Sequence, residues 1–394
     1  MTAIRVVFVF LTCLLVGAAS AVQTQPSIAE LMAQIERPQV PSRQGYDTFT
    51  LQQIMEKTRV PGVSVAVIKD FTVHWAKGYG VADAKSESPV TTDTMFQAAS
   101  ISKPVTAMAF LKMVQDGKAA LDEDVNRYLK SWKVPVNEFT RDHPVTARAL
   151  FSHTSGTGDG FGFPGYEPSQ PRPTLVQILN GEKPSNVGKV SWERPPFTAF
   201  KYSGGGLVIM QLLMMDLLGK PFDAIMRDSV LVPAGMTGST YEQPLPADLE
   251  RKAARAHSGG RLSDAPWHVY PEQSAAGLWT TPTDLARFAI ELQKALRGDS
   301  GRVLSQAVAR EMVAPVGVGG YAVGFSVEKR GEGWYFMHSG GNWGFSCDLL
   351  AHYRKGYGVA VMTNSDTSGT LMREIEARVA AAYNWDSLDK SVPR

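Results

Sequence analysis

Cysteine is nearly absent: the 394 residues contain two, Cys13 and Cys347. A small scaffold stapled by several disulfides is therefore excluded. Neither charge sign dominates, with 40 Lys and Arg against 38 Asp and Glu and a net charge of +2. Such a balance builds no field for tracking phosphates, and no nucleic-acid partner is expected. Internal repeats and low-complexity tracts are missing, as are a G-x-S-x-G elbow, an H-E-x-x-H zinc helix and a G-x-x-x-x-G-K-[ST] loop. The seven histidines do not cluster with acids or cysteines at metal-ligand spacing, so no metal site is expected. What is present, 44% apolar and 20% charged residues, describes a globular chain able to bury a large core.

The first 21 residues read as a signal peptide. Arg5 is their one charge, Val6 to Gly17 are apolar, and Ala19-Ser20-Ala21 forms an A-x-A cleavage pattern. The run is short against the roughly 20 residues of a bilayer-spanning helix. The expectation is export, periplasmic or secreted, with no membrane span after cleavage; an uncleaved anchor is the alternative. Cleavage leaves Cys347 alone, so the mature chain forms no internal disulfide.

Residues 22–45, polar with scattered prolines, read as a linker or loosely held N-terminal arm. Residues 46–385 read as a single domain and 386–394 as a tail. Strand patterns are expected at Val63–Ile68 and Val73–Gly80, then at Tyr321–Lys329, Trp334–His338, Ser346–Tyr353 and Gly358–Thr363. Between them, about 104–300, lies a helix-rich region whose clearest helices are Pro104–Gln115, Leu207–Leu218 and Thr283–Leu296. A last amphipathic helix is expected over Leu371–Tyr383. Strands at both ends with helices between predict an α+β fold, one antiparallel sheet built from both chain ends, flanked by helices and carrying an inserted helical region.

The pattern Ser-x-x-Lys occurs three times. Ser326–Lys329 lies in a strand-like stretch, where residues three apart face opposite ways. Ser387–Lys390 lies in the polar tail. Ser100-Ile-Ser-Lys103 opens a helix, so the two side chains share a face, and the helix start favours developing negative charge. A lysine partly desolvated there can act as the base for a serine nucleophile; the plainer reading is a serine N-cap with an exposed lysine. Two further segments stand out. Phe200-Lys-Tyr202-Ser-Gly-Gly-Gly206 displays a tyrosine before a helix. Met337-His338-Ser339-Gly340-Gly341-Asn342 offers a Gly-Gly pair at a strand edge, suited to aiming a backbone N–H at a substrate oxygen.

Ser100-x-x-Lys103, Tyr202-x-Gly204 and His338-x-Gly340, in this order and spacing, resemble the serine β-lactamase and penicillin-binding protein superfamily. More narrowly, the chain looks like the class C β-lactamase-like serine hydrolases, which include DD-carboxypeptidases, D-aminopeptidases and carboxylesterases. Val60–Val67, Leu150-Phe-Ser-His-Thr-Ser-Gly156, Pro233–Ser239 and Ala276–Ala286 extend the likeness. It implies a β-lactamase/transpeptidase-like fold and an acyl-enzyme on Ser100, with proton transfer shared by Lys103 and Tyr202. The backbone N–H groups of Ser100 and Gly341 would form the oxyanion hole, and Gly204, Ser339 and Gly340 would bind substrate. His338 would stand where many relatives carry lysine, giving a hydrogen bond and a pH-dependent charge near the substrate carboxylate. No cofactor is needed for this chemistry. His153 reads as a residue that fixes a loop, Cys347 as a packed small residue.

Gly204 replaces an asparagine and His338 a lysine of antibiotic-hydrolysing relatives, which argues against an efficient β-lactamase. The expected activity is a peptidase or amidase on short or non-standard peptides, linear or containing D-residues. A carboxylesterase on the same site comes next, then a weak β-lactamase. From a different class, a non-catalytic binding or scaffold relative stays open, as does the oligomeric state.

Overall fold

The computed structural model describes residues 25–39, 45–159, 162–299, 301–331 and 333–385. The expected signal peptide and tail lie outside the described residues.

Seven antiparallel strands form the central sheet. Their spatial order is Ser88–Pro89, Thr72–Asp83, Gly62–Lys69, Gly358–Thr363, Phe345–His352, Gly333–Asn342 and Ser326–Arg330. The N-terminal hairpin thus joins the C-terminal strands where Val63–Ile68 pair with Thr363–Gly358, which is the sheet expected from both chain ends. A two-residue turn with Asp70 at φ 52° and Phe71 at φ 59° links the first two long strands. Alternation divides the core between the faces. Ala66, Ile68, Ala360 and Met362 point to the helical region. Val63, Val65, Val67, Val359 and Val361 point to the opposite face, which is covered by helices at the chain ends.

Three long helices of the inserted region run over Ser102–Gln115, Gly204–Leu218 and Pro282–Arg297, each starting before or at its expected first residue. The first two are buried on nearly all sides. That explains the apolar surround of Gly204–Leu218, whose buried positions run unbroken from Gly204 to Met214. Among the described residues, no single helix is long and apolar enough to cross a membrane.

Within the stretch expected as a linker or loosely held N-terminal arm, the described residues 25–39 correct that reading. Ile28–Glu36 is a helix with a complete Ser27/Glu30 capping box, burying Leu31 and Ile35. It packs beside the C-terminal helix Gly369–Ala382. Arg378 of that helix is fully buried. It donates to Glu374 Oε1 at 2.8 Å, to the carbonyl oxygens of Ile35 and Arg37 at 3.1 and 2.9 Å, and to those of Tyr46 and Phe49 at 3.3 and 2.9 Å. One guanidinium therefore ties the arm to the sheet-covering helix and satisfies the Ile35 carbonyl at the end of the arm's helix.

Two strand expectations shift. The strand pattern at 334–338 continues through Asn342, so Gly340 and Gly341 lie within the ladder, opposite Cys347 and Ser346. The strand expected from Tyr321 begins only at Ser326, because Gly324 adopts φ 91° and turns the chain. Tyr321 thereby sits in a loop at the mouth of the sheet.

Candidate active site

Ser100 lies in a tight 3-10 turn, Ala99–Ile101, just ahead of the Ser102–Gln115 helix. The preceding Ala99 is held at φ 47°, a left-handed conformation that costs an L-residue about 1–2 kcal/mol. Neighbours impose it: Ser102 Oγ donates to Ala99 O at 2.6 Å and accepts Leu278 N–H at 3.0 Å, while Ala98 N–H reaches Leu278 O at 2.8 Å. One helical turn on, Lys103 is buried. Its Nζ lies 2.9 Å from Ser100 Oγ and donates to Ala275 O at 2.8 Å. That carbonyl comes from the short helix Gln273–Ala276. Of the other two Ser-x-x-Lys patterns, Ser326–Lys329 lies on the edge strand with Lys329 exposed, and Ser387–Lys390 lies outside the described residues.

Tyr202 stands at the entry to the Gly204–Leu218 helix, which Ser203 caps. Its ring lies under the lysine, with Lys103 Nζ 5.0 Å from the ring centre. The three glycines are not a loop but the first helical turn. Gly205 is packed so closely on Val190 that a Cβ would overlap it, and Gly204 is buried. Asp159 completes the cap: its carboxylate accepts Ser203 Oγ at 2.8 and 2.9 Å and Gly205 N–H at 2.9 Å.

The third wall is the strand Gly333–Asn342. Its neighbour Ser326–Arg330 pairs with it only as far as Met337, so residues 338–342 have an uncovered edge. The face of the strand at Gly340 packs on the Ser100 turn: a Cβ on Gly340 would stand 2.5 Å from Ala98 O and 3.0 Å from Ser100 N. Only glycine permits this approach. Gly341 is exposed, with open space where a Cβ would be, and Ser339 is exposed beside it. Asn342 anchors the strand's end through Nδ2, which donates to Gln97 Oε1 at 2.9 Å and Ala276 O at 3.0 Å.

His338 differs from expectation. A carbonyl can only accept, so the 2.6 Å contact to Ser339 O puts a proton on Nδ1, while Nε2 lies 3.0 Å from the Tyr321 hydroxyl. Burial and the adjacent Lys103 charge push its pKa down to about 3. It is neutral at working pH, and the expected pH-dependent charge is not there. Cys347 behaves as expected of a packed residue. Its thiol is buried, donates to Ala98 O at 2.9 Å and is held well above the usual thiol range by burial.

Three residues shape the site without having been assigned to it. His153 brackets Tyr202, its Nδ1 accepting Ser203 N–H at 3.1 Å and its carbonyl accepting Lys201 N–H at 2.8 Å. Tyr321 stands edge-on to His153, ring centres 5.0 Å apart, while bonding His338. Asp159 holds the helix cap. The glycine run before Tyr321 and the Gly-Asp-Gly around Asp159 were the available signals, and both mark loops without saying where they fold.

Ser100, Lys103, Tyr202, His338, Ser339, Gly340 and Gly341 thus converge, with Gly204 buried behind Tyr202. Among the described residues no group of three His, Cys, Asp or Glu side chains is placed to hold a metal.

A family model described as Beta-lactamase matches residues 50–384. Penicillin-binding protein 4 of Amycolatopsis lactamdurans is 27% identical over 333 residues, covering 80% of this chain and 84% of the relative. Protein flp of Staphylococcus aureus is 23% identical, covering 82% of this chain and 63% of its own length. The solved D-amino acid amidase of Ochrobactrum anthropi SV3 superposes with a TM-score of 0.66 at 22% identity, over 90% of this chain and 98% of that one. It shares the β-lactamase/transpeptidase-like fold. Since the family match spans most of the chain, sheet and motif walls included, the protein belongs to the beta-lactamase family and is a serine hydrolase of the penicillin-binding protein/β-lactamase superfamily.

Proposed function

We propose that the protein is an exported serine amidase or peptidase acting on short or non-standard peptides, linear or containing D-residues, through an acyl-enzyme on Ser100. The observation that carries this reading is the buried Lys103 Nζ, 2.9 Å from Ser100 Oγ and oriented by Ala275 O. As Oγ bonds to the substrate carbonyl carbon, its proton leaves by way of the Lys103–Tyr202 pair. The carbonyl oxygen takes the negative charge between the N–H groups of Ser100 and Gly341. The C–N bond then breaks, and the departing nitrogen receives the proton by way of Lys103 and Tyr202. Water attacks the resulting ester along the same route, releasing the acid and restoring the Ser100 hydroxyl. The amide preference is supported by the D-amino acid amidase, which was solved with L-phenylalanine amide. Export is supported by the segment ending at Ala21.

The test is hydrolysis of an amide and an ester that share one acyl group, with the protein and its Ser100→Ala and Lys103→Met variants. The amide should be cleaved, and each variant should lose activity at least about a thousandfold while keeping its circular dichroism. Ester cleavage without amide cleavage would make it a carboxylesterase; rapid nitrocefin hydrolysis would make it a β-lactamase. Recovery of the chain with Val22 as its first residue from the periplasm or medium would verify export.

A further inference from the structure

We propose that Tyr321 is a positioning residue that holds His338 as a neutral Nδ1–H imidazole, and that the cleft wall beside Tyr202 therefore selects leaving groups without a free carboxylate. The inference rests on the Ser100 hydrolase reading and sharpens it to a substrate class: amides, internal peptide bonds or neutral esters, in preference to bonds one residue from a C-terminal carboxylate.

The geometry around His338 admits one neutral form. Ser339 O takes the Nδ1 proton, which leaves Nε2 as an acceptor for the Tyr321 hydroxyl at 3.0 Å. Burial keeps the Tyr321 phenol well above its ordinary range, so its hydroxyl retains the proton that a neutral Nε2 can accept. The groups facing His338 all oppose a second proton or leave it unsupported. Lys103 comes from the nucleophile helix, and its charge lowers the His338 pKa. The Tyr202 ring centre is 6.5 Å away and the Tyr321 ring centre 6.0 Å away, edge-on. His153, which is itself held neutral by burial and by the Lys103 charge, stands behind both tyrosines. None of these facing groups is a carboxylate. The leaving group receives its proton from the Lys103–Tyr202 side, so it lies against the wall that His338 borders. A carboxylate there would lose water without meeting a cation on that residue, which is unfavourable. An uncharged carboxamide loses far less.

The experiment compares two esters with the same acyl group, whose leaving alcohols are glycolamide and glycolate, at pH 5.5 and 8.0. Esters are chosen so that failure of the amidase reading, seen as no amide cleavage, leaves this ratio measurable. The native protein should favour glycolamide at least about tenfold in kcat/KM, with a ratio that does not change between the two pH values. Imidazole ¹⁵N shifts should report a neutral Nδ1–H ring for His338 at pH 5.5. In Tyr321→Ser the vacated space admits water to Nε2, and His338 should take up a proton in acid. The glycolamide preference should then fall at least about fivefold at pH 5.5 relative to pH 8.0. A native preference for glycolate, a native ratio that titrates near pH 6–7, or a doubly protonated His338 ring at pH 5.5 would overturn the proposal. So would a Tyr321→Ser variant whose ratio and ring shifts match the native protein. If Tyr321→Ser does not fold, the native ratio and ring shifts decide alone.

Discussion

His153 lies against Tyr202 with ring centres 4.2 Å apart and planes inclined by 35°, and its own Nδ1 and carbonyl oxygen hold the N–H groups on either side of that tyrosine. The contact is local in space but spans 49 residues of sequence. It sets the position of the tyrosine ring beneath Lys103, and His153 needs φ 59° to reach it. Asparagine tolerates that backbone and can offer an oxygen to Ser203 N–H; alanine does neither well. His153→Ala should lower kcat about ten- to a hundredfold, the cost of a misplaced proton-transfer group. His153→Asn should recover a large part of that loss. Equal loss in both variants would mean that the ring stacking, not the hydrogen bond, sets the tyrosine. Because burial and the Lys103 charge hold the His153 pKa well below its usual value, no limb of the pH–rate profile should disappear in either variant.

Gly340 and Gly341 are adjacent, yet their surroundings oppose each other. A methyl group on Gly340 would press on Ala98 O at 2.5 Å, Cys347 Sγ at 2.7 Å and Ser100 N at 3.0 Å; one on Gly341 would enter open space. Gly340→Ala should cost about 1–3 kcal/mol of stability and displace the nucleophile turn, with kcat falling more than KM rises. Gly341→Ala should fold within about 0.5 kcal/mol of the native protein. Unfolding in urea and steady-state kinetics on both variants check this. Comparable stability losses at the two sites would show that the strand does not press on the Ser100 turn as described.

The sheet was legible in sequence because it alternates. Val63, Val65 and Val67 on one face and Ala66 and Ile68 on the other announce a strand before any partner is known, and Gly358–Thr363 does the same. Ser100 and Lys103 were legible because a helix start brings residues three apart together. What escaped depends on partners distant in the chain. The Ile28–Glu36 helix is short and polar on its outer side, and its reason to form is Arg378, over 340 residues away. Tyr321 sits in a strand-like stretch, and Gly324 alone turns it into a site residue. The charge of His338 cannot be read from its place in His-Ser-Gly, because burial and Lys103 determine it.

Glu272 is the N-cap of the short helix that presents Ala275 O to Lys103. It is fully buried, and neither carboxylate oxygen has a hydrogen-bond partner among the described residues. Burial pushes its pKa up to about 8, from 4.5. Between those two values the folded state binds a proton that the unfolded state has released. This group's contribution to stability is therefore full below pH 4.5 and is lost as pH rises toward 8, at about 1.4 kcal/mol per pH unit at the steepest. Methionine has a similar length and no charge to bury. Glu272→Met should match the native protein in unfolding free energy near pH 4.5 and exceed it by a few kcal/mol, as an order of magnitude, near pH 8.5. Urea unfolding at the two pH values measures the difference. A gap that stays constant with pH would show that Glu272 is ionised throughout and has a partner that neutralises it.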